Sequence, residues 1–363
     1  MHPDAIAPVT GGMTWIDRNI RSIDEFAFDF STAHVNALHD VLVRTHRLER
    51  DEISLVDCGH PALDTDLSRV LDQIQHGRGL VLLRGFPVGG ETAADVERMF
   101  WILCTHLGIA LSQTSMGHRL VLVQAENPKP GEQSSRGSKA NQELAMHTDF
   151  CEILAMLCVR DAKEGGESHL ASSLAVHNEL LAMQPELLRS LYEGFPYHRR
   201  GEQPDAHEPV TPYNVPVFSS TEGHVSSFFL RNHALAGMAE IGREPTTREL
   251  DALNKVREIA AQQQLTFRMA PGEAIIANNY TVYHSRSEFI DHDDPATKRL
   301  MVRMWLQAAR DRRPVARDMM VYRNAHDRNG VDRVPGRNMA RMSYHNVSER
   351  ALSVLKATRD SQM

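Results

Sequence analysis

Cysteine is scarce in this chain of 363 residues: 4 are present, at positions 58, 104, 151 and 158. None forms a CxxC pair, and their spacing is not that of a disulfide scaffold. A reduced, cytoplasmic protein is the expectation. Long apolar runs are also missing. No uninterrupted stretch approaches the roughly 20 residues of a membrane span, so no membrane partner is expected. The opening residues, MHPDAIAPVTGGMTWIDRNI, lack a basic start followed by an apolar core, and no signal peptide is read there. Excess positive charge is absent as well. The net charge is −7 and the pI about 6.2, which argues against a nucleic-acid partner. No internal repeat is visible.

What is present is enough apolar sequence, 42%, for one sizeable core. A single domain over residues 1–310 is expected, with its motif-bearing part at about 75–310. Charge is uneven. Residues 310–363 hold 11 Arg and 1 Lys against 5 Asp and 1 Glu, a balance of +6, which leaves −13 for the rest. Residues 311–363 therefore read as a basic extension. It is either a solvated tail lying on the acidic body or a lid, subunit contact or anion site. The chain can form a homo-oligomer, but nothing in the sequence selects one.

Apolar residues recur at three- and four-residue intervals over 33–48 and 63–76, which predicts helices. GLVLLRGFP at 79–87 predicts a buried strand stopped by Gly and Pro. Thr92 can cap a helix that Gly108 ends. Strands are expected near 119–124, at 153–160, 265–270, 273–279 and 299–307, with a hairpin around Glu222-Gly223. Ser172 or Ser173, Pro185 and Thr247 start further helices. Residues 125–144, rich in Pro, Gly, Ser and charge, suit an active-site lid. Strands dominate the motif-bearing part and helices surround it. The expected class is α+β, with a double-stranded β-helix (jelly-roll) barrel whose mouth holds a small molecule.

The chemistry lies in three pieces. His147-Thr148-Asp149, His284 and Arg299 follow one another along the chain. Two histidines and one carboxylate are the set that binds non-haem Fe(II) on one face of an octahedron, leaving the other face for a co-substrate and O2. An arginine beyond the last ligand can fork onto a dicarboxylic acid. The H-x-[DE] pattern alone is weak, since it also occurs at His2-Pro3-Asp4, His177-Asn178-Glu179 and His292-Asp293-Asp294. Residues i and i+2 share a face only in extended backbone. That removes the helical His177 and Glu179. His2 lies at a terminus, and His292 has only a tail after it. His284 is expected to end the strand-like NNYTVYH. Arg299 and Arg303, four apart in RLMVRMW, are expected on one side of a strand, where two buried cations call for anions. One could be the distal carboxylate of 2-oxoglutarate and the other a second carboxylate of co-substrate or substrate; alternatively, one or both arginines pair with a protein Asp or Glu.

These residues resemble the taurine dioxygenase (TauD/TfdA) family of Fe(II)/2-oxoglutarate-dependent oxygenases. The matching stretches are GLVLLRGFPV, HTDFCEILAMLCVRDAKEGGESHLASS and NNYTVYHSRSEF…KRLMVRMWL, in the family's order. The resemblance implies His147, Asp149 and His284 as iron ligands and Arg299 on the C5 carboxylate of 2-oxoglutarate. It also implies Ser168, where members often carry Thr, as a bond to the same co-substrate. Arg303 would serve the co-substrate's surroundings or an anionic substrate. Phe150, Cys151, Arg286 and Phe229 are candidates to line the substrate pocket. The implied reaction hydroxylates or desaturates a C–H bond of a small molecule, an amino acid, a carboxylate or sulfonate or a natural-product intermediate, with Fe(II), 2-oxoglutarate and O2. Two other classes stay open: a barrel that binds a small molecule without catalysis, and an oxygenase acting on a macromolecule.

Overall fold

Short apolar runs bounded by glycine and proline become the central strands. In the computed structural model, residues 6–114, 117–125, 141–200, 208–321, 350, 351, 353 and 354 are described. Most of the expected lid, most of the extension beyond residue 321, and His2 and Asp4 lie outside them. A seven-stranded sheet runs in the order Ala27–Asp29, Leu80–Arg84, Ala274–Asn278, Ile153–Arg160, Leu300–Ala308 and Gly108–Ala110, with Leu120–Val123 also paired to Leu300–Ala308. Only the first pair is parallel. A four-stranded antiparallel sheet runs Leu265–Phe267, Ser168–Ser172, Val282–Arg286 and Leu144–His147.

Alternation divides the large sheet's side chains between two faces. Val81, Leu83, Leu157, Ile276, Val302 and Met304 pack with the helices Thr32–Arg44, Pro61–Gln75 and Ala93–Leu107. Leu80, Leu82, Cys158, Ile275, Ala277 and Met301 turn the other way and meet Leu170, Leu265 and Val282 of the small sheet. The large sheet is thus covered on both faces, which is why its strands read as nearly unbroken apolar runs. The helix starts follow local chemistry. Thr92 Oγ1 accepts from Asp95 N–H at 3.1 Å, and Thr246 forms a capping box with Glu249 ahead of Thr247–Gln262.

Several elements were not expected. Phe195–His198 and Val210–Val215 form a hairpin although each contains a proline, and Arg231–Glu240 is a helix although Gly237 interrupts it. A Cβ at Gly237 would lie 2.1 Å from the Pro196 carbonyl oxygen, so only glycine lets this helix approach that strand. The expected hairpin is present as Phe218–Thr221 with His224–Ser227. Its turn residues Glu222 and Gly223 have φ of 52° and 79°.

One expectation is corrected. NNYTVYH is not one strand. Ala274–Asn278 ends, Thr281 N–H donates to Asn278 O at 3.0 Å, and Val282–Arg286 begins in the other sheet. His284 therefore sits inside a strand rather than at its end. The chain from Arg310 onward first lies against the body. Arg310 binds Ser68 and Asp72 on a helix, Arg312 binds Glu152, and Arg313 donates to Ser226 Oγ. Met319 and Val321 join the core with Phe195, Tyr197 and Phe228.

Candidate active site

The small sheet places the two histidines side by side. His147 ends the strand Leu144–His147, and its Cα partner across the ladder is His284. Their ring centroids are 4.2 Å apart. Asp149 lies two residues on, where the chain leaves the small sheet for Ile153–Arg160 of the large one. One donor atom from each of His147, Asp149 and His284 falls within 4.8 Å of the others. His147 Nε2 is 4.0 Å from Asp149 Oδ1, and His284 Nε2 is 3.7 Å from Oδ2. Metal–donor bonds of about 2.0–2.2 Å set donors roughly 3–4 Å apart around one ion. The His147, Asp149 and His284 side chains keep 15%, 10% and 12% of their surface exposed, so the centre is enclosed yet reachable.

The protonation states suit a cation. Burial lowers the pKa of His147, and burial together with the neighbouring His147 pushes His284 down to about 3. Both imidazoles are neutral at pH 7. His147 Nδ1–H donates to the Ala145 carbonyl at 2.8 Å, which turns the Nε2 lone pair toward the carboxylate. Burial works against ionising Asp149, but the Arg303 guanidinium and the two imidazoles outweigh it and hold the carboxyl at about 2. With the imidazoles uncharged, that effect falls to Arg303 and to the Trp305 N–H.

Asn279 and Trp305, given no role in the sequence reading, help to fix this loop. Asn279 stands in the crossover just before Val282–Arg286. Its Nδ2 donates to Asp149 O at 2.6 Å and to Cys151 O at 2.9 Å, and its Oδ1 accepts from Asp149 N–H at 2.9 Å. Thr148 and Phe229 exchange backbone and hydroxyl hydrogen bonds, each N–H donating at 2.9 Å. Trp305 Nε1–H donates to Asp149 Oδ2 at 2.8 Å. Trp305 is two residues beyond Arg303 in one strand, and period-two alternation was the available signal for it.

The two arginines separate. Arg299 stands just before the strand Leu300–Ala308, and the register slip there places its extra residue, Val159, on the partner strand. Its guanidinium lies over Phe289, 5.2 Å from the centroid, and burial lowers its pKa. Among the described residues no carboxylate forms an ion pair with it. Arg303 has its carboxylate within the protein: Nη1 donates to Asp149 Oδ2 at 3.2 Å and Nε to Gln113 Oε1 at 2.8 Å. Arg286 lies over the same Phe289 ring at 4.5 Å and donates to Gln142 O; burial, then the charge of Arg299, pushes it down to about 10. Ser168 is the Cα partner of Arg286 across the ladder.

Of the pocket candidates, Phe150 packs against Phe228 and His233, with centroids 5.4 and 5.5 Å away. Phe229 and Cys151 are corrections. Both are 0% exposed, and the Phe229 ring packs on Tyr283, so neither has surface to offer a ligand. His177 is also buried, and its Nε2 bonds Tyr192 Oη at 2.9 Å.

Comparison with known proteins adds the following. The model of the family described as "Taurine catabolism dioxygenase TauD, TfdA family" matches residues 45–305. FR-33289 synthase of Streptomyces rubellomurinus is 29% identical over 316 residues, which cover 84% of this chain and 92% of that protein. Asparagine oxygenase in complex with Fe(II), 2S,3S-3-hydroxyasparagine and succinate superposes with a TM-score of 0.59 at 16% identity, covering 77% of this chain and 93% of that one. The non-heme iron oxygenase OrfP in complex with Fe and alpha-ketoglutaric acid gives 0.53 at 15% identity, covering 77% and 94%. At such identities the superpositions show a shared fold.

Proposed function

As the chain belongs to the taurine catabolism dioxygenase (TauD, TfdA) family, it is an Fe(II)/2-oxoglutarate-dependent dioxygenase, and we propose that His147, Asp149 and His284 are its metal ligands. The observation that carries this is their convergence: donor atoms from residues 137 positions apart in sequence (147 to 284) come within 4.8 Å. The donors fit the ion, being two neutral imidazoles and one ionised carboxylate. The two facing sheets are read as the jelly-roll expected from the sequence. Iron and 2-oxoglutarate supply the oxidising power, so that O2 is consumed, succinate and CO2 leave, and a C–H bond becomes C–OH or yields an alkene.

The chain's own groups bind, orient and exclude water. Arg299 is proposed to hold the distal carboxylate of 2-oxoglutarate. Its support is a guanidinium only 5% exposed that forms no direct ion pair among the described residues, Asp161 and Asp291 acting on it only through their charge, an arrangement that an anion would complete. Ser168, beside Arg286 on the neighbouring strand, offers a hydroxyl to the same molecule. Phe150, Phe228 and Trp305 form an apolar wall that keeps water from the reacting centre. Phe150 and Arg286 are proposed to face a small-molecule substrate: an amino acid, a carboxylate or sulfonate, or a natural-product intermediate. Asparagine oxygenase, similar in fold, is seen with a hydroxylated amino acid.

The test is direct. Asp149→Ala should abolish binding of Fe(II) at low-micromolar metal. Arg299→Ala should cost about 3 kcal/mol of 2-oxoglutarate binding, about 100-fold in KM. Full metal binding in the first variant, or an unaltered KM in the second, refutes the corresponding role. Succinate release across a metabolite library identifies the substrate.

A further inference from the structure

The geometry points to Trp305 as a positioning residue for the metal-binding carboxylate: its indole N–H and Arg303 together occupy Asp149 Oδ2 and leave Oδ1 for the metal. The inference rests on Asp149 being a ligand, as proposed above. Trp305 Nε1 is 2.8 Å from Oδ2 and Arg303 Nη1 is 3.2 Å from the same atom. Two donors match the two lone pairs of that oxygen. No hydrogen bond to Oδ1 is formed among the described residues.

The supports behind the pair are themselves held. Arg303 and Trp305 stand two apart on one strand, hence on one face, and the guanidinium carbon lies 4.9 Å from the centre of the indole ring. Gln113 accepts from Arg303 Nε and donates from Nε2 to Arg303 O, both at 2.8 Å. Trp305 is 2% exposed and Asp149 7%. Asn279 already fixes the Asp149 backbone, so two side-chain torsions remain to the carboxylate. The indole and guanidinium take up both. A carboxylate free to turn could chelate the ion with both oxygens and occupy a position that co-substrate or O2 requires. Partners of this kind typically contribute 10- to 100-fold to metal affinity.

The experiment uses metal-stripped full-length protein and Co(II) as the probe. Trp305→Phe removes the donor. A second protein carries a benzothienylalanine at position 305, which replaces the N–H by sulfur and keeps the ring's shape. Co(II) affinity is read by titration calorimetry, and its coordination by the visible d–d spectrum. Both proteins should bind Co(II) about 10- to 100-fold more weakly, with an altered d–d spectrum. The melting temperature of the metal-free benzothienyl protein should fall by no more than about 4 °C, the loss of one hydrogen bond. A purely structural role for the indole would lower the melting temperature and leave the spectrum alone. Wild-type affinity and spectrum in the benzothienyl protein overturn the inference while Asp149→Ala still loses metal. Retention of Co(II) by Asp149→Ala would instead remove the ligand assignment beneath it.

Discussion

Replacing Asn279 by alanine should both loosen the fold and weaken metal binding, although Asn279 is not among the proposed ligands. The side chain is 1% exposed and serves three backbone groups of the Asp149 loop: the Asp149 N–H and the carbonyls of Asp149 and Cys151. Truncation leaves all three without these partners. A buried polar group stripped of its partner costs about 1–3 kcal/mol, and relaxation or an entering water returns part of that. A net loss of about 3 kcal/mol follows. Each kcal/mol lowers the melting temperature by about 2–4 °C in domains of roughly 150–250 residues and by less in a larger chain, so a drop of about 6 °C is expected in metal-free protein. Metal affinity should fall as well, because the Asp149 backbone is then free to drift from the histidines. Differential scanning calorimetry with and without Co(II) reads both effects. Asn279→Asp should do no better, since it keeps an acceptor for the Asp149 N–H but turns an anion toward two carbonyls. A melting temperature within about 2 °C of wild type, together with unchanged Co(II) affinity, would refute the reasoning.

Two further outcomes concern the rest of the molecule. Burial lowers the pKa of His177, so it stays neutral in the fold while the unfolded histidine titrates near 6.5. Its contribution to stability is complete above about pH 6.5 and is lost as pH falls from there toward the folded value. His177→Gln should flatten the stability profile of metal-free protein between about pH 7 and pH 5; an equally steep profile would show that His177 is not a cause. Arg312→Ala should destabilise by about 2–3 kcal/mol, because Glu152, 4% exposed, then keeps a buried charge without its arginine. That figure is set below the usual cost of breaking a buried pair because Arg312 itself is 27% exposed. Urea unfolding should show the loss, and adding Glu152→Gln should recover at least half of it; a single-variant cost under about 0.5 kcal/mol would contradict the account.

Much of the fold was legible because its signals are local. The strand at 153–160, the capped helix after Thr92 and the turn at Glu222-Gly223 each depend on residues a few positions apart. The hairpin of Phe195–His198 with Val210–Val215 was not, because both strands contain a proline that argues against a strand. The helix around Gly237 was hidden for a related reason. Its glycine lowers helix propensity, and the compensation, close approach to Pro196, appears only in three dimensions. What surrounds Arg299 was not legible, because its neighbours Phe289 and Arg286 stand on other strands.

The sequence by itself determined the chemistry available: two histidines and a carboxylate in the right order, with an arginine after them, and no charge or cysteine pattern pointing elsewhere. Side-chain identity sets which ion and which co-substrate the site can accept, and identity is read directly. Tertiary structure decided which groups those side chains face. It set Arg303 and Trp305 on Asp149, placed Asn279 under the loop, sealed Phe229 away, and brought Met319 and Val321 into the core. These are contacts between residues far apart in the chain. Their energies depend on burial and angle, which exist only once the two sheets have closed on each other.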